Sequence, residues 1–591
     1  MELSAAPVPC EGPAGDPTDR PGAVTRVNGP VVHLEGLPAP TRFGYVEVGE
    51  RRLPGEIVTI DGDLAVAQVY EYTGGLRVGE PAWSAGRPLT IGLEPGLLGG
   101  IYDGLLRPLD RGETFLGPRG LDRPAESEHR FEPAVRAGDE VSPGHVLGRI
   151  TGDPGPIEHL VLAPPGVGGT VDEVAPPGLR STSEPLLTVG GVEVAFRSEW
   201  PIRHPRPYGR RNTEREPFRT GQRVLDLLVP VARGASAAVI GGFGEGKTML
   251  LEQLAKWGDA DVIVYVGCGE RGNELSDLIG ELGELADPRT GRTLLERVVV
   301  LANTSNMPVM AREASIYTAV TVAEYYRDMG LHAVIIADST SRWAEARREL
   351  TSRTDAIPAE EGYPADLPAA LAAFYQRAGS VVTLGGRRGA VTVVTSVSPP
   401  GGDVTEPVSA HTQRFVQAVW TLDRDLAYAR HYPAISWRSS FSRDRQAIAR
   451  WYRAGDDPDW AARNGRLSAL LAESDRLQGI ADLVGRTALP TEERLILLTG
   501  LHIQEGVLQQ SALSPNDATC SPAKQAALAD AVLRIHDTAA EVASAGVPAS
   551  VIESFDFAPL LRAKDAVEPG DGGGVAAIAD RLVAGLRGLS P

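Results

Sequence analysis

The run Gly241-Gly242-Phe243-Gly244-Glu245-Gly246-Lys247-Thr248 constrains this chain more than any other segment. It spaces two glycines around four residues and closes on Lys-Thr. The apolar residues 237–240 precede it and Met249-Leu250-Leu251-Glu252 follow. Strand, glycine-rich loop, then helix is the order in which a backbone can wrap a polyphosphate, with its N–H groups and the helix N-terminus facing anionic oxygens. In that reading Lys247 reaches the outer phosphates and the Thr248 hydroxyl ligates Mg²⁺. Gly241, Gly242, Phe243, Gly244, Glu245, Gly246, Lys247, Thr248 and Met249 are therefore the expected nucleotide contacts.

The lysine is informative in itself. The chain holds 58 Lys plus Arg, yet its only lysines are Lys247, Lys256, Lys524 and Lys564. A compact ammonium fits between phosphates inside a tight loop where a broad guanidinium fork does not. A mere glycine turn between strand and helix would not need that residue. The implied ligand is a nucleoside triphosphate such as ATP, with ADP as its product.

At 591 residues the chain should hold about three or four domains. A net charge of −19 argues against a nucleic-acid enzyme, which carries a basic track to neutralise phosphates. Cys10, Cys268 and Cys520 are far apart and lack metal-ligand spacing, which reads as free thiols in a reducing cytosol. The N-terminus has neither the basic nor the apolar segment of a signal peptide, and no apolar run approaches the ~18 residues of a membrane span.

Composition and periodicity divide the chain into five stretches. Residues 1–22, rich in Pro, Gly and Ala, are expected to be a disordered tail. Residues 23–90 show short apolar segments between glycine turns, a small β-barrel. Residues 91–210 are Pro/Gly-rich and β-like, most clearly from about 110 to 200, and read as an inserted β module. Residues 211–435 alternate strands and helices, with strands expected at 237–240, 262–266, 298–302, 333–337, 380–384 and 391–397. That pattern gives a mainly parallel α/β sheet with ligand at the carboxyl ends of its strands. Residues 436–591 are helical, with Gly570–Gly574 expected as a flexible break before a last amphipathic helix.

Two carboxylates stand out beyond the loop. Asp338 closes the apolar run Ala333-Val334-Ile335-Ile336-Ala337, where it can assist Mg²⁺ or cap the following helix. Glu270, in Gly269-Glu270-Arg271-Gly272-Asn273-Glu274, lies just past another strand. It can orient and deprotonate water for attack on a phosphate, or simply join a surface ion pair. Arg271 could pair with Glu270 or with phosphate oxygens.

These residues resemble a known family, the catalytic A subunit (alpha chain) of V/A-type rotary ATPases and ATP synthases. The resemblance is carried by Gly244-Glu245-Gly246-Lys247-Thr248 and by Val264-Tyr265-Val266-Gly267-Cys268-Gly269-Glu270-Arg271-Gly272-Asn273-Glu274. It extends through Leu301-Ala302-Asn303-Thr304-Ser305-Asn306-Met307-Pro308, Ala337-Asp338-Ser339-Thr340-Ser341-Arg342-Trp343 and Ser398-Pro399-Pro400-Gly401-Gly402-Asp403. It implies a multidomain α/β architecture: an N-terminal β-barrel, an inserted β-rich bulge domain, a central RecA-like phosphate-loop domain and a C-terminal helical domain. It implies an enzyme that hydrolyses or synthesises ATP, coupled to H⁺ or Na⁺ transport.

Further implications concern assembly and roles. The partners would be B subunits in an alternating A3B3 ring, central rotor and peripheral stalk subunits, and a membrane ion-translocating sector, with no nucleic acid. The location would be cytoplasmic and peripheral to the membrane. Carried over by motif, Lys247 and Thr248 bind phosphate and Mg²⁺, Asp338 assists the metal, Glu270 is the general base and Arg271 contacts the phosphate region. A B neighbour would supply an arginine finger. Tyr432 and Leu513 take the two positions that flank the adenine ring.

The chain departs from the family pattern at two of these positions. Glu245 stands where a small or neutral residue is usual; its side chain is expected to point away from the phosphate and to repel it modestly. Leu513 replaces a usual Phe. The competing readings are a related hexameric motor, for secretion or RNA translocation, and a noncatalytic nucleotide-binding scaffold. The β insert and acidic balance oppose the first, and intact Lys247, Glu270 and Asp338 oppose the second.

Overall fold

The computed structural model describes residues 20–109, 127–152, 155, 157–287, 289–354, 357–455 and 457–589. The expected tail through residue 19, Cys10 and the start of the insert at 110–126 lie outside them. Gly22, expected in the tail, opens the first strand instead.

Short strands and glycine turns close the N-terminal segment on itself. Gly22–Asn28, Val31–Glu35, Leu64–Val69, Leu53–Asp61, Gly44–Val48 and Pro81–Pro88 pair in that order into a closed barrel, which leaves no exposed sheet edge. Its inward residues, among them Val32, Leu34, Val46, Ile57 and Ala67, form a separate core. Beyond it, two four-stranded sheets built from strands between Glu128 and Val194 enclose a second small core around Phe131, Leu147 and Val189.

The central sheet carries the nucleotide loop. Ala418–Thr421, Ser236–Ile240, Arg388–Val397, His332–Asp338, Val262–Cys268, Val298–Asn303 and Ile101–Tyr102 lie side by side and parallel. Their interiors are almost wholly buried, so the strands read as apolar runs rather than alternations. Two of these strands, Ala418–Thr421 and Ile101–Tyr102, were not among those expected from sequence. The expected strand at 380–384 is Gly379–Val382, and it runs antiparallel to Arg388–Val397 as a hairpin.

A buried ion cluster ties the barrel to this domain. Arg203 donates to Glu56 of the barrel at 2.6 Å and to Glu313 at 2.7 Å, while Arg347 donates to Glu313 at 3.1 Å. Burial alone would raise the Glu313 carboxyl; the two guanidiniums hold it below its ordinary value instead. Loss of Arg203 would leave the buried Glu56 carboxylate without its cation, which typically costs about 3–5 kcal/mol, whereas Glu313 would keep Arg347.

From Arg445 onward the chain is helical, led by Trp460–Val484 and Pro522–Ser544. The glycine stretch before the final helix is not a break. Gly572–Arg587 begins on those glycines, and the Asp571 carboxylate accepts from the Gly574 N–H as a cap. The cap and the packed face of Val575, Ala579, Leu582 and Leu586 outweigh the poor helix propensity of three glycines.

Candidate functional site

The loop leaves Ser236–Ile240 and enters the helix Lys247–Trp257. Gly244 and Gly246 have φ of 79° and 95°, a region that a side chain makes costly. Leu250, Leu251, Leu254 and Ala255 bury one face of the helix against the sheet, which fixes its N-terminus at the loop. No acidic residue sits in the helix's first turn, so its positive end is available to an anion.

Lys247 is buried, and its Nζ donates to the carbonyls of Gly241 at 2.8 Å and Gly242 at 2.6 Å. Burial lowers its pKa, and Asp338, Glu245 and Glu270 act against that. Glu245 does not point away, as expected from sequence. Its Oε2 accepts from the Gly242 N–H at 2.6 Å, so the carboxylate folds back over the loop. A carboxylate bonded to a backbone N–H makes a charge-assisted hydrogen bond, stronger than one between neutral groups.

Asp338 ends the buried strand His332–Asp338, beside the loop strand's neighbour. Its Oδ2 accepts from the Thr248 hydroxyl at 2.9 Å, and its Oδ1 accepts from the Ser396 hydroxyl. The capping alternative falls to Ser339, whose side chain accepts from Arg342 N at the start of Thr340–Arg353. Burial pushes Asp338 up, while the two hydroxyls and Lys247 pull it back. Thr248 and Asp338 thus present hard oxygen donors at one point, the donor set that suits Mg²⁺ held mainly by substrate phosphates. Among the described residues no cluster of three or more His, Cys, Asp or Glu could hold a metal by itself.

Glu270 follows the strand Val262–Cys268, which pairs directly with the Asp338 strand. Burial first, then Asp338 and Glu274, pushes its carboxyl up to about 7, against the pull of Arg342 and Lys247. That value suits a group that must take a proton near neutrality. Arg271 pairs with a different carboxylate from the Glu270 that the sequence offered. That carboxylate is Glu274, at 3.6 Å, and the Arg271 side chain is 66% exposed. Two cations closer in were not singled out by sequence. Arg342 acts on Glu270, and a Cβ added at Gly269 would lie 3.2 Å from Nε of the buried Arg312.

The base end lies on the other side of the loop. A cavity of about 750 Å³ is lined by Gly246, Met249, Tyr432, Gln509 and Leu513, among others. Tyr432 stands over the loop, its ring 3.8 Å from where a Cβ on Gly246 would be. Leu513 reaches this cavity only at its rim and is 95% exposed. Phe243 stands 92% exposed at the loop tip and does not line the cavity. Cys268 is fully buried, its thiol pushed up to about 12, and Cys520 is likewise buried and free.

Comparison with known proteins finds the same order of domains. The model of the ATP synthase alpha/beta family nucleotide-binding domain matches residues 221–442. The family's β-barrel domain matches 24–83, its barrel-sandwich domain 120–203, and the C-terminal domain of V and A type ATP synthase matches 449–549. The A subunit of the A-type ATP synthase of Haloferax volcanii is 46% identical over 91% of this chain and 93% of its own length. A V-type ATP synthase alpha chain from Anaeromyxobacter sp. is 49% identical over 92% of this chain and 94% of its own. Among solved structures, the assembled ATPase EscN of an enteropathogenic E. coli type III secretion system covers 87% of this chain at TM-score 0.61 and 20% identity, a likeness of fold. With full-length identity near one half to such chains and a C-terminal domain of the V and A type, this chain belongs to the alpha-chain family of the A- and V-type ATP synthases, as a catalytic subunit of that class.

Proposed function

We propose that this chain binds Mg·ATP across the loop and the 750 Å³ cavity and turns it over with Glu270 as general base. The observation that carries the reading is the meeting of Lys247, Thr248 with Asp338, and Glu270 at the ends of neighbouring parallel strands. Lys247 exchanges its two loop carbonyls for β- and γ-phosphate oxygens. Glu270 accepts a proton from water as the water oxygen bonds to the γ-phosphorus; the bond to the bridging oxygen breaks, and ADP leaves with that electron pair. Synthesis is the same path reversed. Thr248 and Asp338 would hold a divalent cation, which would supply charge neutralisation on the phosphate oxygens.

Family membership supports a multisubunit complex with B subunits; we infer that these alternate with this chain in an A3B3 ring, with stalk subunits and a membrane sector moving H⁺ or Na⁺. The chain would sit at the cytoplasmic side, peripheral to the membrane; among the described residues no helix is long and apolar enough to cross one. Arg271, exposed at the edge of the catalytic strands, is then free to swing toward phosphate when the ring closes. Within it the chain would divide into domains at 23–90, 91–210, 211–435 and 436–591.

The test is a pair of variants. Lys247→Ala should lose turnover and most nucleotide affinity, whereas Glu270→Gln should keep Mg·ATP binding and lose turnover. The isolated chain should turn over slowly and gain sharply when its B partner is added, since an arginine finger supplied in trans is worth roughly 10³–10⁵ in rate. Full activity of an isolated monomer, or of Glu270→Gln, would refute this reading.

A further inference from the structure

Two of the four lysines in this arginine-rich chain are buried where the helical domain meets the base cavity. Lys564 lies near the end of the helix Ala558–Ala566, beyond the C-terminal domain match. Its Nζ donates to the Glu505 carbonyl at 2.6 Å, to the Gln509 side-chain Oε1 at 2.9 Å and to the Gln509 carbonyl at 3.3 Å. Those acceptors belong to a wide π-type turn, Gln504–Leu508, and to the residue after it. Such a turn leaves carbonyls without their usual helical donors, so an outside donor decides its shape.

Lys524 holds the holder. It is fully buried, and its Nζ donates at 2.7 Å each to the carbonyls of Asn516, Lys564 and Val567. From the opposite side Arg223 of the nucleotide domain donates to the same Gln509 carbonyl at 2.6 Å and to Asp517 at 2.6 Å. The stitched segment then reaches the base wall directly. The Gln510 N–H donates to the Tyr432 carbonyl at 2.7 Å, and the His431 Nε2 lies 3.0 Å from the Gln504 carbonyl.

We propose that Lys564 is a positioning residue for the nucleotide base, setting the turn at 504–509 so that Gln509 and residues 511–513 stand opposite Tyr432. This rests on the reading of the cavity as the base site. The residue type supports it. Three oxygens converge on one nitrogen, which matches the three tetrahedral N–H bonds of an ammonium and not the planar fork of a guanidinium. A sequence that otherwise uses arginine almost everywhere keeps lysine at this point.

The experiment titrates the full chain with Mg·ATP and with Mg·tripolyphosphate, which has no base. Lys564→Met should weaken ATP binding by roughly tenfold and leave tripolyphosphate unchanged. Lys564→Arg, which restores charge without the geometry, should also fall short of the parent for ATP alone. Gln509→Ala should show the same selective loss at smaller size, and it carries the test if the Met variant does not fold. Parent-like ATP binding in the Arg or Met variant overturns the proposal, as does equal weakening toward both ligands. Tyr432→Ala separates the two readings. Selective loss of ATP binding upholds the base site whatever Lys564 does, and no loss removes the base site and this inference with it.

Discussion

The two ends of the nucleotide site are built in opposite ways. The phosphate end comes from one continuous motif and the tips of adjacent parallel strands, all inside a single rigid sheet. The base end joins residues 430–434, the 504–513 segment and a helix of another domain, and its stability depends on buried cations placed on backbone carbonyls. A sheet is held by many cooperative bonds, so its loop is preset. The base end is held by a few charge-assisted bonds and is correspondingly easier to reshape by single substitutions.

The largest effect should come from the bolt between the two domains. Arg223 and Asp517 are both fully buried and pair at 2.6 Å. Arg223→Met leaves the buried Asp517 carboxylate without its cation and takes one donor from each of the Val507 and Gln509 carbonyls, an expected loss of about 3–5 kcal/mol. Urea unfolding followed by near-ultraviolet and helical signals should show the helical domain melting earlier than the nucleotide domain. A single unchanged transition would mean that the base end is as rigid as the sheet, and the contrast would fail.

The next prediction concerns the phosphate end alone. Burial and the neighbouring carboxylates push Glu270 from 4.5 to about 7. A base works as its carboxylate, so kcat/KM should fall about tenfold per pH unit below about 7 and level off above it. Glu270→Gln should remove that limb with most of the activity. For stability the sign is opposite. Between pH 4.5 and 7 the folded state binds the extra proton, so this group's contribution weakens as pH rises through that window. An acid limb near 4.5 would show that Glu270 is solvated during turnover.

Much of this was legible in the sequence, but unevenly. Contiguity made the loop, its helix and Thr248 plain, and an apolar run ending in a carboxylate exposed Asp338. Ser396 was invisible because its role comes from strand pairing: Thr395 lies opposite Ala337, which sets Ser396 beside Asp338, far away in the chain, and no local pattern records that register. The strand expected at 380–384 carried no orientation of its own; Gly379–Val382 runs antiparallel to Arg388–Val397, and Leu384-Gly385-Gly386 beside it is the turn signal for that hairpin. Ala418–Thr421 is too short for periodicity to mark. The base end was reached only through family resemblance, and Lys564 left no trace except the scarcity of its kind.

Glu245 offers a smaller test, and one that both ligands should report. Its carboxylate occupies the Gly242 N–H that a phosphate oxygen would take. Glu245→Ser removes that competitor and one negative charge, so binding should tighten by roughly threefold to tenfold. Because the contact is at the phosphate end, Mg·ATP and Mg·tripolyphosphate should gain equally. Tightening for ATP only would place Glu245 at the base end instead.

The smallest effect is expected at Leu513, where the two ends differ most in how well they are enclosed. Stacking between aromatic groups is worth about 0.5–1.5 kcal/mol beyond burial, provided both faces are covered. Tyr432 is 44% exposed and lies over the loop, while Leu513 is 95% exposed at the rim. A phenylalanine there must first give up freedom in solvent before it can cover the base, which removes part of that energy. Leu513→Phe should therefore tighten ATP binding by only about threefold, the lower end of the stacking range. Tyr432→Ala should cost more than Leu513→Ala, since only the tyrosine is already in place. Nucleotide titration of the three variants at fixed Mg²⁺ decides it. If Leu513→Phe gains tenfold or more, the rim closes over the base on binding, and the base end is a moving wall; if Leu513→Ala costs as much as Tyr432→Ala, the two residues grip the ring equally and the asymmetry seen in their exposure has no energetic weight.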